Sequence, residues 1–156
     1  MSILAVYESS DLRCPRRVLT HVEDIRRALD ALGLSLATDA VEASAAVASR
    51  THDAHGLPAY QQVEEQLTED NIFSCGAVER QVLAGQLRLC LGGADWALVV
   101  ALRAGDCIRL PHGLEQCILP AAGVACCWKD SAADESALIY HPLEAPALAG
   151  LLPLDI

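Results

Sequence analysis

After residue 70 the chain becomes a series of short apolar segments separated by glycine-containing turns, and this alternation restricts its fold more than any other feature. Leu87, Leu89 and Leu91 share one face of their segment, because side chains alternate along a strand. Short strands at regular spacing are typical of a closed barrel or sandwich. We predict a mainly β fold. Its strands, each of about five residues, are Val78–Leu83, Gln86–Leu91, Trp96–Ala101, Asp106–Leu110, Gln116–Leu119 and Val124–Trp128.

The first 35 or so residues predict a strand and then a helix. Ile3–Tyr7 reads as a short strand. Thr20 and Glu23 form a T-x-x-E capping box, and Gly33 stands where a helix would end. One apolar stripe joins these signals, formed by Val22, Ile25, Leu29 and Leu32. The fold is therefore α+β overall, with an N-terminal helical segment.

Three further segments complete the N-terminal part. Val41–Ser49 is rich in alanine and predicts a second helix, and Tyr60–Thr68 predicts a third, more polar one. Between them, Thr51–Pro58 is predicted as a loop that carries His52 and His55. Two histidines three apart could bind a metal on one face of a helical turn, but the glycine and proline that follow favour a solvated loop.

The length of 156 residues suits one domain with a hydrophobic core. We divide it into an N-terminal strand and helices (1–70), a barrel core (71–130) and a C-terminal strap (131–156). The last part is predicted to lie on the surface because it contains Pro142, Pro146 and Pro153.

Charge and cysteine content exclude several classes of function. The net charge of −10 argues against nucleic acid and against anionic membranes as partners. No apolar run reaches the length of a membrane span, and the N-terminus lacks the pattern of a signal peptide, so we expect a cytoplasmic protein. Seven cysteines without a C-x-x-C motif indicate free thiols rather than a zinc ribbon.

Two stretches carry motif-like spacing. Gly105 is followed after five residues by Pro111, then by Gly113 and, after two more residues, by Gln116. Upstream, the stretch FSCGAVERQVLAG runs from Phe73 to Gly85. These stretches resemble the second and first conserved motifs of the cupin superfamily, although the upstream one lacks one residue before its glycine. The resemblance implies a jelly-roll barrel, also called a double-stranded β-helix.

Among cupins, the order of the elements looks most like acireductone dioxygenase. That family holds iron or nickel with three histidines and one glutamate. Matched position by position, these ligands become Phe73, Cys75, Glu79 and Gln116. Imidazole suits both metals, whereas phenylalanine binds neither and an amide is a weak ligand. We therefore do not expect the usual iron or nickel site, and the cofactor stays unknown. A rebuilt metal centre would use Cys75, Glu79 and Gln116.

Three residues are the candidates for catalysis. Glu79 would be a general base with a raised pKa inside the barrel, or else a glutamate paired with an arginine on the outside. Cys75 would be a thiol nucleophile, or else a packed small residue. Gln116 would orient a substrate or hold Glu79. Candidates for substrate binding at the barrel wall and rim are Arg88, Arg109, Phe73 and His112.

These observations leave three functions open. The first is a small-molecule enzyme that uses acid–base or thiol-assisted chemistry in a cupin pocket without iron or nickel. The second is a metal-dependent oxygenase with the rebuilt Cys, Glu and Gln centre. The third is a non-catalytic cupin that binds or scaffolds a partner. The expected partners are a small-molecule substrate and a second copy of the chain, since the apolar fraction of 53% fits a filled barrel or an oligomer interface.

Overall fold

A computed structural model describes residues 3–38, 48–55, 67–121 and 124–154. The described chain forms two antiparallel sheets, one α-helix and two short 3-10 helices, Glu69–Asn71 and Glu135–Leu138. The helix α1 is Val22–Asp30. The strands are β1 (Ile3–Glu8), β2 (Arg17–Leu19), β3 (Ser35–Ala37), β4 (Ala48–His55), β5 (Phe73–Ser74), β6 (Val78–Ala84), β7 (Gln86–Gly92), β8 (Trp96–Arg103), β9 (Cys107–Leu110), β10 (Glu115–Pro120), β11 (Ala125–Ala132) and β12 (His141–Pro142).

The larger sheet has the strand order β12-β5-β10-β7-β8-β1-β2, and the smaller has the order β3-β9-β6-β11-β4. The prediction of a mainly β fold is confirmed, and each of the six predicted strands after residue 70 overlaps one observed strand. Strands from the N-terminal part also belong to the sheets, because β1 pairs with β8 and β4 pairs with β11.

Helix α1 buries the predicted stripe at Ile25 and Leu29. The predicted capping box is wrong: the N-cap is His21, and no side chain caps the helix there. Gly33 does end the helix, with a positive φ of 79°. That conformation suits glycine, which has no Cβ, and it lets the Leu34 amide donate back to the Leu29 carbonyl at 2.9 Å.

The predicted loop Thr51–Pro58 is wrong as far as His55, because these residues continue strand β4. Their backbone hydrogen bonds to β11 override the local turn signals, since pairing to a neighbour decides strand formation more than propensity does. Positions 56–58 lie outside the described residues. Of the predicted helix Val41–Ser49, positions 41–47 are also outside, and its last two residues belong to β4. Of Tyr60–Thr68, only Leu67 and Thr68 are described, and neither is helical.

The two sheets enclose one hydrophobic cluster. The larger sheet contributes Leu87, Leu89 and Leu91 from β7, on one face as the alternation predicts. The smaller sheet contributes Val78 and Val82 from β6, together with Ile108, Leu110, Cys126 and Trp128 from β9 and β11. This inward-facing space is where a polar group must find a partner inside the protein.

The outer face of the larger sheet is covered as well. Cys90 and Cys117 lie there with Tyr7, in a second cluster that includes Leu148 and Leu151. The predicted C-terminal strap thus contains a segment, residues 143–154, that packs leucines against the sheet. No helix within the described ranges is long and apolar enough to cross a membrane.

Candidate functional site

A buried arginine lies at the centre of the space between the sheets. Arg80 projects inward from β6 between Val78 and Val82, and its side chain is 0% exposed. Its Nε donates to Asp130 Oδ1 at 2.8 Å, and its Nη2 donates to Asp130 Oδ2 at 3.1 Å. Asp130 is 0% exposed too and faces inward from β11. The pair is bidentate and fully removed from water, which is the geometry in which arginine binds a carboxylate most strongly.

Tyr140 joins this ion pair from the segment before β12. Its hydroxyl donates to Asp130 Oδ2 in a short hydrogen bond, and it accepts from Arg80 Nη2 at 3.3 Å and from Trp128 Nε1 at 3.2 Å. Burial raises the pKa of Tyr140, and the nearby Asp130 charge raises it further against the opposing effect of Arg80. The hydroxyl therefore stays protonated and serves as a donor to the carboxylate.

Gln116 and Cys75 complete the surroundings of the guanidinium. Arg80 Nη1 donates to Gln116 Oε1 at 2.7 Å, and Gln116 Nε2 donates to Cys75 Sγ at 3.4 Å. Gln116 is 0% exposed and Cys75 is 2% exposed. The turn after β9 fixes Cys75 in this place, because the Gly113 amide donates to the Cys75 carbonyl at 3.1 Å. Gly113 has a positive φ of 82°, so this turn requires glycine.

The thiol of Cys75 is poorly suited to nucleophilic attack. Burial raises the pKa of Cys75, and the hydrogen bond from Gln116 and the charge of Arg80 offset this only in part. A thiol, not a thiolate, is therefore the dominant form near neutral pH.

Four nearly parallel rings form a stack, and two of them, Phe73 and Tyr140, lie beside Arg80. Phe73 stacks on Tyr140 with ring centroids 4.1 Å apart, and His52 stacks on Tyr140 at 4.9 Å and on Trp128 at 5.3 Å. The Arg80 guanidinium carbon lies 6.0 Å from the Phe73 ring centroid and 5.7 Å from that of Tyr140. These distances allow a cation–π attraction in addition to the hydrogen bonds.

The side chain of His52 is 24% exposed, and Phe73 and Tyr140 are partly exposed as well. Its Nε2 is buried, lies 4.0 Å from Asp130 Oδ2, and makes no hydrogen bond. Burial lowers the pKa of His52, and the charge of Arg80 lowers it further against the opposing effect of Asp130. The imidazole is therefore neutral near pH 7, beside a carboxylate that already binds Arg80 and Tyr140.

Of the predicted site residues, the structure brings together Cys75, Gln116 and Phe73 and leaves the others elsewhere. Glu79 lies on the opposite face of β6 from Arg80 and accepts from Arg109 Nη2 at 2.9 Å. Arg88 lies on the outer face of the larger sheet and donates to the Leu154 carbonyl at 3.1 Å. His112 is exposed on the turn between β9 and β10.

Arg80, Asp130 and Tyr140 are not among the site residues predicted from the sequence, although strand alternation carried a signal for the first two. Val78 and Val82 face inward, so the residue midway between them on the same strand must also face inward. Asp130 likewise lies two residues after Trp128 on β11. Tyr140 lies outside any strand, so the sequence contained no comparable signal for it.

Within the described part of the chain, no three His, Cys, Asp or Glu side chains converge on a point where a metal ion would bind. The donor set around Arg80 is a thiol, an amide oxygen and a carboxylate, and the guanidinium occupies the space between them. A second cation placed among these groups would meet the positive charge of Arg80 at short range. The residues present do not fit a divalent iron or nickel ion.

Comparison with known proteins gives a match in structure but not in sequence. No protein-family model matches the chain, and no curated protein gives a significant match. A solved structure described as acireductone dioxygenase from Bacillus anthracis, with a cadmium ion in its active centre, does match. The TM-score is 0.64 over 90% of this chain and 97% of that one, at 8% sequence identity. The two chains share a fold. That fold is the cupin-like barrel that the two motifs imply.

Proposed function

We propose that this protein is a non-catalytic, metal-independent cupin, in which the guanidinium of Arg80 occupies the part of the barrel that holds a metal in acireductone dioxygenase. One observation carries the proposal: Arg80 is 0% exposed and binds Asp130, Gln116 and Tyr140 from inside the barrel. Of the three functions left open by the sequence, a binding or scaffold protein fits this arrangement best.

The positions matched to the metal ligands support the proposal. Phe73, Cys75 and Gln116 surround the guanidinium, while Glu79 lies on the other face of β6. The matched structure has a cadmium ion in its active centre. In this chain the Arg80 side chain supplies a positive charge inside the barrel without a bound ion. Its N–H groups bind the oxygen atoms that could otherwise bind a metal.

The burial of the same groups argues against turnover at the barrel centre. Arg80, Asp130 and Gln116 have no surface accessible to water, so a substrate of water size or larger cannot contact them without rearrangement. Each is bound to another member of the cluster. Breaking such a buried network is costly, so the network favours a filled structural core.

Elemental analysis tests the proposal most simply. The wild-type protein, purified without a histidine tag, is expected to contain far less than one equivalent of iron, nickel, zinc or cadmium, and added Ni²⁺ should leave its melting temperature unchanged. As a positive control, the combined variant Cys75→His, Arg80→Ala and Gln116→His removes the cation and supplies two imidazoles beside Asp130. We expect this variant to gain Ni²⁺ binding.

Stoichiometric metal in the wild type that is lost in Cys75→Ser would contradict the proposal and favour the rebuilt oxygenase centre. Circular dichroism shows whether the combined variant folds. If it does not fold, the metal content of the wild type still decides between the two functions.

A second candidate function rests on His52. Metal-free acid–base catalysis on a small molecule would use His52 supported by Asp130, because this imidazole is partly exposed and histidine is the side chain whose usual pKa lies closest to neutral pH. A thermal-shift screen of small carboxylate and sulfur-containing metabolites separates the two functions. A ligand that stabilises the wild type but not His52→Gln, and that the wild type converts to a product, favours the enzyme, whereas a ligand that is bound without being converted favours the binding protein. The variant His112→Gln, on the exposed turn, is the matched control.

A further inference from the structure

Two buried cysteines lie directly opposite each other on the outer face of the larger sheet, away from the barrel centre. Cys90 on β7 is the register partner of Cys117 on β10, and the two are 0% and 2% exposed. Directly opposite residues in an antiparallel pair have Cβ atoms about 4.5–5.5 Å apart, and a disulfide needs about 3.5–4.5 Å. A small local adjustment of the strands therefore suffices to join the two sulfur atoms.

The two thiols are electrostatically unequal. A hydrogen bond with Cys117 and burial together raise the pKa of Cys90, while the hydrogen bond from Cys90 lowers the pKa of Cys117 against the effect of burial. Arg88, which shares this face of β7, lowers both. Cys117 is therefore the thiol of the pair that ionises more readily, and the Cys90 thiol donates to it.

The C-terminal segment, residues 143–154, covers this pair. Leu148 and Leu151 pack in the same cluster as the two cysteines. Polar contacts fasten its end: the Tyr7 hydroxyl donates to the Leu152 carbonyl at 3.0 Å and accepts from the Leu154 amide at 2.9 Å. Arg88 Nη1 also donates to the Leu154 carbonyl, at 3.1 Å. Glu115 also accepts from the Ala147 and Leu148 amides, and Leu67 exchanges backbone hydrogen bonds with Gly150 and Leu151. Together these contacts hold the segment over the dithiol and separate it from solvent.

We propose that Cys90 and Cys117 form a redox-active dithiol, which closes to a disulfide by exchange with a small-molecule disulfide when the C-terminal segment lifts. The Cys117 thiolate attacks one sulfur of the small disulfide, and the first small thiolate leaves. Cys90 then loses its proton to water and attacks the Cys117 sulfur, and the second small thiolate leaves. The two protein thiols are oxidised by two electrons, and the small disulfide is reduced to two thiols.

The proposal does not depend on the barrel centre, so it stands or falls separately from the proposed function. Because residues 143–154 cover the two cysteines, the proposal predicts which motion limits disulfide formation. The rate of disulfide formation should follow the opening of residues 143–154 and not the unfolding of the barrel, because local opening requires less free energy than global unfolding.

The test uses the full chain with Cys14→Ser and Cys127→Ser, which removes the exposed and the half-exposed thiol. This protein is treated with oxidised glutathione and then with an alkylating reagent. We expect an intact mass that is lower by two hydrogen atoms before alkylation. A non-reducing peptide map should join the peptides of Cys90 and Cys117. Adding Cys117→Ser should abolish the reaction, and adding Cys90→Ser should stop it at a glutathione adduct on Cys117.

Tyr7→Phe tests the role of the cover. It removes the hydroxyl that binds the Leu152 carbonyl and the Leu154 amide, so disulfide formation should become roughly two- to tenfold faster. The buried Cys107 and Cys126 serve as internal reporters of global unfolding. Oxidation of the pair no faster than alkylation of these reporters, or disulfides that join other cysteines, would overturn the proposal.

Discussion

The two faces of strand β6 carry similar ion pairs in opposite surroundings. On the outer face Glu79 binds Arg109, whose side chain is 67% exposed. On the inner face Arg80 binds Asp130, and both are 0% exposed. An exposed ion pair contributes little because water screens it, whereas a buried charge depends entirely on its partners. The difference shows that two neighbouring residues of β6 take part in very different ion pairs. Glu79 belongs to a surface pair, and Arg80 belongs to the buried pair at the centre of the barrel.

The largest effect should come from removing the inner arginine alone. Arg80→Met leaves the Asp130 carboxylate buried without its countercharge, so we expect the free energy of unfolding to fall by about 3–5 kcal/mol. The matched outer change, Arg109→Met, should cost less than about 1 kcal/mol. Urea denaturation of both variants measures the two values.

A double variant sharpens this comparison. Replacing both partners, with Arg80→Met and Asp130→Leu, removes the uncompensated charge and should recover a large part of the lost stability. Equal effects of Arg80→Met and Arg109→Met would mean that the inner pair is not buried in solution.

A smaller effect is expected at Gln116, which accepts from Arg80 inside the barrel. Gln116→Leu keeps a side chain of similar size but leaves one guanidinium donor without its partner, so stability should fall by about 1–3 kcal/mol. Gln86→Leu, at an exposed position on the neighbouring β7, is the control and should change stability by less than about 0.5 kcal/mol. A neutral Gln116→Leu would show that the amide is not part of the network.

The smallest effect concerns pH. The pKa of His52 is lower in the folded protein than its usual value of 6.5, so the unfolded chain binds this proton more readily. Stability is therefore complete above about pH 6.5 and falls as the pH decreases towards the folded-state pKa. The charges that act on this imidazole are those of Asp130, Arg80, Arg50 and Asp53.

His52→Gln should remove the pH-dependent contribution of this imidazole to the free energy of unfolding, which we expect to be below about 1 kcal/mol. Urea denaturation at several pH values between about 5.5 and 7.5 measures the slope for the wild type and the variant. His112→Gln, on the exposed turn, controls for loss of a histidine elsewhere. An unchanged slope in His52→Gln would contradict the assignment of a neutral, partly buried imidazole.

The sequence predicted the strands well because their signal is local: apolar runs of strand length end at glycine turns such as Gly85, which has a positive φ of 74°. It predicted β4 poorly, because Thr51–His55 becomes a strand through pairing with β11, far along the chain. The capping box predicted at Thr20 was wrong although its signal is local. Its residue types were suitable, but the helix begins one residue later.

For the site, motif spacing led to Cys75, Gln116 and Phe73, which do lie together. The same spacing pointed to Glu79, whereas strand alternation at Val78 and Val82 points to Arg80. Which of two neighbouring residues faces inward depends on register, and a shift of one residue exchanges the faces. The motif fixed the position along the chain but not this orientation.

The most direct test of the account is nuclear magnetic resonance of the arginine side chains. In protein labelled with ¹⁵N-arginine, the guanidinium protons of Arg80 should give resolved signals that exchange slowly with water, because Asp130, Gln116 and Tyr140 bind them in the interior. The signals should vanish in Arg80→Lys and should differ from the fast-exchanging signals of Arg109. Fast exchange at Arg80 would mean that the barrel centre is open to solvent, which contradicts the proposal that this arginine fills it.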